Sequence, residues 1–437
     1  MSTLHERLAD LATDAPTPTP DPLLWDRAAR FHRRRRAGTA GILAVAVLAV
    51  LSLVGIDTWQ RSPGVEPAAP GTEPVLPARF WEPSPWLPGT GGEPTGPLAA
   101  LITAERKGWL STSDGVVGVS ATTGEYRFLD LPDDSTQAWA LSPDGSKVAY
   151  WVTGETARSP YTAGGQYSVA VGVAVWDATT GEVQRHEVES DHGLATGDLL
   201  WADARHVVVS WTVNAAGDTD GPQRRRGGSY AADGLRVWEP DGSAGPVSFG
   251  LPWTIGADTT NGRGQVLLET RGRQVLDVDT GARSGFEGGG ARYGWVSALS
   301  PDGSALAYPK GASNPNRLFL AEAGREPRLV LDEKVWAAVG WLDEDTLAFL
   351  TRDTRQDPIP ATIETISLST GERGELIAGG SFQPLPGNLA TDLLAVEPRD
   401  FPEPSSPWSP RVVAGLVGFV LVISGLWVWG WRRRVQP

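Results

Sequence analysis

The chain has 437 residues and a formal charge of −14, with 52 acidic against 38 basic side chains, a balance that excludes an ordinary nucleic-acid binder. Cysteine is absent, which excludes a disulfide framework, Cys-ligated zinc or iron-sulfur sites and a thiol nucleophile. At 41% hydrophobic and 21% charged residues it is neither a disordered nor a wholly membrane-embedded composition.

Residues 1–36 open the chain with seven Arg and five acids. Asp21 as N-cap and Pro22 at the first helical position predict a short basic amphipathic helix with Leu24, Ala28 and Phe31 on one face. Leu4, Leu8 and Leu11 repeat the pattern more weakly before the Pro-rich APTPTPDP. Such a segment suits either a bed on anionic lipid headgroups or a docking peptide for a cytoplasmic partner. Residues 37–56 follow, twenty uncharged positions that at 1.5 Å each span about 30 Å, the thickness of a bilayer's hydrocarbon core. A second uncharged run occupies 412–431, with Trp427, Trp429 and Trp431 at one end. Arg33 to Arg36 precede the first run and Arg432 to Arg434 follow the second, so the positive-inside rule expects two spans with both termini cytoplasmic. The first run is longer than a signal-peptide core and no A-x-A site follows it, which favours an uncleaved anchor. Residues 37–410 then carry −20 and lie outside the membrane. Residues 57–97, with ten Pro and six Gly, and residues 398–410, with five Pro, have the composition of extended stalks. The expected order is cytoplasmic segment 1–36, span 37–56, stalk 57–97, folded domain 98–397, linker 398–410, span 411–431 and tail 432–437.

Two units recur within 98–397. A tight turn before an alternating apolar run appears as LSPDGSKVAYW, LWADARHVVVSW, LSPDGSALAYP and GWLDEDTLAFL, placing Asp144, Asp203, Asp302 and Asp343 at one equivalent position. A strand, a turn ending in Gly and another strand recur six times, at Gly124, Gly181, Gly242, Gly281, Gly324 and Gly371, spaced 39 to 61 residues apart. The spacing is near the roughly 40 to 50 residues of a four-stranded propeller blade. The fold class expected is all-β, a β-propeller of six blades, with seven as the alternative if 383–397 (QPLPGNLATDLLAVE) founds a blade instead of completing the first. On its SPDG turns (142–145 and 300–303) and TGE turns, this stretch of about 300 residues resembles the bacterial TolB-like and WD-repeat-like propellers. Trp-Asp stands at the expected strand end only at Trp176 and Asp177, and the Gly-His dipeptide of WD repeats is missing.

Turns between first and second and between third and fourth strands share one face of a propeller. These are uniformly short here, whereas the second-to-third loops at 153–168 and 212–234 are long and those at 309–317 and 351–362 moderately so. Long loops on a rigid scaffold are where binding resides. Arg224, Arg225, Arg226 and Tyr230 in one loop and Tyr161 and Tyr167 in its neighbour form the candidate binding set, able to hold a carboxylate or phosphate and to stack on a partner. The ordinary alternative is a solvated insertion.

Chemistry is weakly signalled. His186, His192 and His206 show no metal-ligand spacing and are expected to be unrelated, on a fourth strand, a blade connection and a second strand. Asp218 and Asp220 lack the remaining ligands of a calcium loop, and no G-x-S-x-G nucleophile elbow occurs. Trp139, Trp295 and Trp336 near inner-strand starts are expected to pack. No catalytic residue, metal or cofactor is expected. The reading is a non-catalytic binding or sensing module in the cell membrane, its propeller extracytoplasmic and directed at an envelope protein or ligand. One alternative is a regulator relaying an external signal through 1–36, since the layout looks like membrane proteins paired with alternative sigma factors in high-GC Gram-positive bacteria, a source that 34 Arg against four Lys also suggests. Another is a propeller glycosidase with paired carboxylates at a central channel.

Overall fold

The computed structural model describes residues 73–404 apart from 110, 157–168, 214–234, 243–244, 249–255, 270–272, 287–296, 311–316, 353–360 and 381–385, and beyond them 409, 411–413, 415–416, 418–419, 422–423 and 425. The chain divides into two compact units, Gln60–Trp408 and Met1–Trp59 together with Ser409–Pro437.

In the larger unit the described residues form 23 strands in antiparallel meanders. β1 (Leu98–Lys107), β2 (Thr112–Ser120) and β3 (Tyr126–Phe128) make a three-stranded sheet. β4 (Asp134–Leu141), β5 (Lys147–Thr153), β6 (Ala170–Asp177) and β7 (Val183–Glu187) form the next meander. β8 (Leu194–Trp201), β9 (Val207–Val213), β10 (Leu235–Trp238) and β11 (Val247–Ser248) form another, joined to its predecessor by the single pair Ala170 with Leu194. Three four-stranded sheets follow in chain order. They are β12 to β15 (Gly256–Thr260, Gln265–Glu269, Gln274–Asp277, Arg283–Gly285), β16 to β19 (Ala298–Leu299, Ala305–Lys310, Arg317–Glu322, Arg328–Leu331) and β20 to β23 (Ala337–Trp341, Thr346–Arg352, Ala361–Ser367, Arg373–Gly380).

Burial explains why these meanders stand around an axis instead of lying in one layer. Second strands are buried on both faces, as in KVAYWVT of β5 and VVVSWTV of β9, while outer strands such as β7, β11 and β15 are exposed or half-exposed. A strand covered on both sides needs a neighbouring sheet on each side and reads as a continuous apolar run. The core clusters supply those neighbours pairwise. One unites Trp151, Trp201 and Trp211 from the β4–β7 and β8–β11 meanders, and another unites Val208, Leu235, Val266 and Leu276 across the next junction. Leu267 meets Tyr308, and Leu318 meets Phe349, across the following two. The largest cluster brings Ala348 and Ile363 of the last meander onto Leu101 and Ile102 of the first, and these onto Tyr150 of the second. The ring is therefore closed, and the fold is a β-propeller.

Closure uses the C-terminal segment. Two 3-10 turns, Pro386–Asn388 and Thr391–Ala395, flank Leu389, which pairs antiparallel with Ala100 of β1, and the Ala390 amide donates to Ala99 O at 3.0 Å. Farther on, Arg399 pairs in parallel with Pro77, and Arg79 pairs with Ala378 of β23. Here the expected stalk needs correction. From Val75 onward, the Pro- and Gly-rich stretch assigned to 57–97 packs on the propeller, burying Leu76, Phe80 and Leu87 and donating from Trp81 N to the Tyr126 hydroxyl at 2.9 Å. A full complement of Pro does not make a stalk when apolar side chains between the prolines find a core, each contributing about 1.5–3 kcal/mol on burial.

The expected span at 37–56 lies outside the described residues, as do 1–36 and 432–437. The described positions of 411–425 are helical, with Val412, Leu416, Phe419, Val422 and Ile423 exposed. Among the described residues no helix is long and apolar enough to cross a membrane.

Candidate functional site

The turns before the second strands are built alike. Asp144 Oδ1 accepts from the Ser146 amide at 3.0 Å and from the Ser142 hydroxyl at 2.6 Å, and Asp302 repeats the set with Ser304 and Ser300. Asp203 and Asp343 take the amides two residues on, of Arg205 and Asp345, both at 2.7 Å. A fifth member is Asn261, whose Oδ1 accepts from Arg263 N at 2.9 Å. All are side-chain-to-backbone turns in which a short acceptor replaces a strand bond. They explain why the carboxyls of Asp302 and Asp343 are held below the usual range, by the Ser300 hydroxyl first for Asp302 and by the Asp345 amide first for Asp343. Five of the six expected third-turn glycines have left-handed backbone, φ from +68° to +79°; Gly242 does not, and its amide closes the turn on Glu239 O at 3.0 Å.

These turns rim a cavity of about 770 Å³ on the propeller axis. Its wall comes from the innermost strands β4, β8, β12, β16 and β20 and from 387–395, so every meander contributes one segment. Much of the polar lining is spent on holding the ring. Trp201 Nε1 donates to Ala140 O at 3.0 Å, Trp341 Nε1 to Ala298 O at 3.2 Å, and Thr260 Oγ1 to Trp201 O at 2.9 Å, each from one meander to another. Asp198 is similarly engaged, its Oδ2 accepting from the Ser210 hydroxyl and the Ala257 amide at 3.0 and 3.1 Å. Asp392 and Arg263 are different. Both stand at the mouth and are exposed to its water. The surrounding wall raises the Asp392 carboxyl above the ordinary range, the Asp144 carboxylate adds to this, and the Arg263 guanidinium opposes it. The mouth thus pairs a carboxyl of raised proton affinity with a guanidinium over a wall of Leu and Trp, the mix that fixes a ligand's orientation in an apolar pocket.

The sequence-predicted binding set, Arg224, Arg225, Arg226, Tyr230, Tyr161 and Tyr167, lies outside the described residues, as do Asp218, Asp220 and Trp295. The strands bearing those loops are in place: β5 ends at Thr153, β6 begins at Ala170, β9 ends at Val213 and β10 begins at Leu235. These are the strand ends opposite the turn rim. Arg236 at that end stacks 4.0 Å over the Trp211 ring, with His186 6.1 Å from the same ring. The expected placement holds for His186, on the fourth strand β7, and is corrected for His206, which precedes the second strand β9 instead of lying on it. It sits in the turn before β9 beside Asp203 and is brought to Asp279 of the next meander.

No protein-family profile matches the chain, and no curated relative matches it. Similar solved structures include TolB from Acinetobacter baumannii, at 11% identity and TM-score 0.37 over 65% of this chain and 66% of that one. An oligogalacturonate lyase in complex with manganese is similar at 13% identity and TM-score 0.38, over 64% and 74% of the two chains. The β-propeller domain of the Trilobed protease from Pyrococcus furiosus is similar at 13% and 0.32, over 65% and 97%. Likenesses this remote carry no function, and the fold rests on the strand order and closed core.

Proposed function

We propose that the chain is a six-bladed, membrane-tethered propeller without catalysis of its own, which displays its channel mouth outside the cell to bind an envelope protein or ligand. Six blades follow if the segment around Leu389 is counted as the inner strand of the β1–β3 sheet, because six inner segments then surround the axis. The observation that carries the binding role is the cavity of about 770 Å³, within the range of small-molecule sites, whose mouth holds the water-exposed Asp392 and Arg263. The membrane tether rests on the uncharged runs at 37–56 and 412–431 and their arginine flanks.

A relay to a cytoplasmic partner is the second reading, favoured by one feature. Residues 387–395, which wall the channel, run within a few residues into Arg399, which pairs with Pro77. The segments that enter and leave the propeller therefore pair just beyond the stretch a ligand would touch.

The test is capture of envelope components by full-length protein, comparing wild type with Asp392→Leu/Arg263→Glu and with Arg224, Arg225 and Arg226 all changed to Ser. Capture lost only in the mouth variant supports the channel. Capture lost only in the triple-Ser variant moves the site to the loop face, and capture unchanged in both refutes either site.

A further inference from the structure

Asp203 and His206 lie in the turn between β8 and β9, and Asp279 in the turn between β14 and β15. One donor atom from each lies within 4.8 Å of the others. His206 Nδ1 is 2.9 Å from Asp203 Oδ2, so the contact with that carboxylate fixes the ring and turns Nε2 towards Asp279. Nε2 is 3.9 Å from Asp279 Oδ1, too far for a hydrogen bond. It is, however, close to the separation of about 3.4 Å that two tetrahedral ligands have on a zinc ion with bonds of roughly 2.0–2.2 Å. A carboxylate holding the far nitrogen of a ligating imidazole is the usual support for such a ligand. Gly264 lies beside both carboxylates: a Cβ there would stand 3.4 Å from Asp203 Oδ2 and 3.9 Å from Asp279 Oδ2. The side chains of His206 and Asp203 are 12% and 16% exposed, so two of the three donors are already ordered. Arg205 holds Asp279 Oδ1 at 3.3 Å, but both partners are more than half exposed and the pair is weak enough to be displaced.

We propose that Asp203, His206 and Asp279 form a binding site for a borderline divalent cation of the zinc class, clasping two neighbouring meanders at the turn rim. Imidazole with carboxylate selects zinc, cobalt or nickel over calcium and magnesium, which prefer all-oxygen shells. His206 Nε2 and Asp279 are the ligands that close the clasp, and Asp203 positions the ring.

The experiment uses full-length protein in detergent with His5 and His32 changed to Gln, so that the terminal histidines do not compete. Zn²⁺ is titrated calorimetrically and by melting, and Co²⁺ is added as a visible-absorption probe. The expected result is one Zn²⁺ per chain, a melting temperature that rises with Zn²⁺ concentration, and Co²⁺ d–d bands. His206→Gln and Asp279→Asn should each weaken binding at least tenfold and abolish the bands. Asp279 is exposed and its variant keeps the fold, so it decides the matter if His206→Gln does not fold. Absence of a Zn²⁺-dependent shift, or equal binding by Asp279→Asn, overturns the site.

Discussion

Gly145 offers a perturbation whose size can be worked out in advance, because a second glycine separates its two costs. Gly145 and Gly371 have the same left-handed backbone, φ +75° and +74°. Alanine at either position pays for that conformation, about 1–2 kcal/mol. At Gly371 nothing lies within 4 Å of the new Cβ, so that is the whole cost. At Gly145 the Cβ would stand 2.0 Å from Leu98 O and 3.0 Å from Leu98 C, backbone atoms of β1 that no rotamer change can remove. Relief requires the turn and β1 to part by an ångström or more, which breaks the bond from Leu98 N to Gly145 O, 2.8 Å long, and loosens the buried Leu98. The bond is worth about 0.5–1.5 kcal/mol and the disturbed packing a similar amount, so Gly145→Ala should cost about 2–5 kcal/mol in all. Urea unfolding of full-length protein followed by circular dichroism measures both. A midpoint for Gly145→Ala no lower than for Gly371→Ala refutes the inference that this turn is wedged against the neighbouring meander.

Trp201→Phe should keep the ring's packing but remove the bond from one meander to the other, costing about 0.5–1.5 kcal/mol in the same assay; unchanged stability would mean the bond to Ala140 holds nothing. His186 is held neutral, its pKa lowered by burial and by Arg236, so the unfolded chain binds the extra proton. The associated stability is complete above the unfolded pKa of about 6.5 and is lost as pH falls below it, and His186→Phe should flatten the melting profile below about pH 6.5. A profile equally steep in the variant would exclude His186 as its source. Asp392 has the opposite sign: its raised pKa makes the charged carboxylate a cost at pH 7 that protonation relieves. Asp392→Asn should therefore raise the melting temperature at pH 7 and leave it unchanged at pH 3, and a drop at pH 7 would show the carboxylate to be a net stabiliser.

What could be read from the chain in advance was whatever repeats at short range. Asp144, Asp203, Asp302 and Asp343 are recognisable because each makes its bonds within five residues, so the motif carries its own geometry. Asn261 does the same work and escaped only because Asn replaces Asp in TNGR. The residues that pack on the first meander from 75–97 and 386–399 are another matter. Their partners are up to about 300 residues away, as Leu389 is from Ala100, and neither segment alternates apolar and polar positions. Composition alone therefore reads Leu76 and Phe80 as stalk, when the sheet edges they cover decide otherwise.

The channel was illegible for a related reason, and this bears on where function sits. Each inner segment contributes only a few residues to the wall, and those residues are chosen first to bond sideways: Trp201 to Ala140, Trp341 to Ala298, Thr260 to Trp201. From the sequence, a Trp or Asp on an inner strand could as well be a ligand platform as a staple. The staples commit the indole N–H groups of Trp201 and Trp341 and the Oδ2 of Asp198 to the ring. What remains at the mouth is Asp392 with Arg263, and Asp392 is held by the chain-closing segment. A ligand that engages Asp392 would therefore act on the bonds that close the ring, Ala390 N to Ala99 O and Arg399 N to Leu76 O. Binding at the mouth and stability of closure are linked: a ligand at free concentration L that binds only the closed ring should add RT ln(1 + L/Kd) to the protection of those two amides from hydrogen exchange.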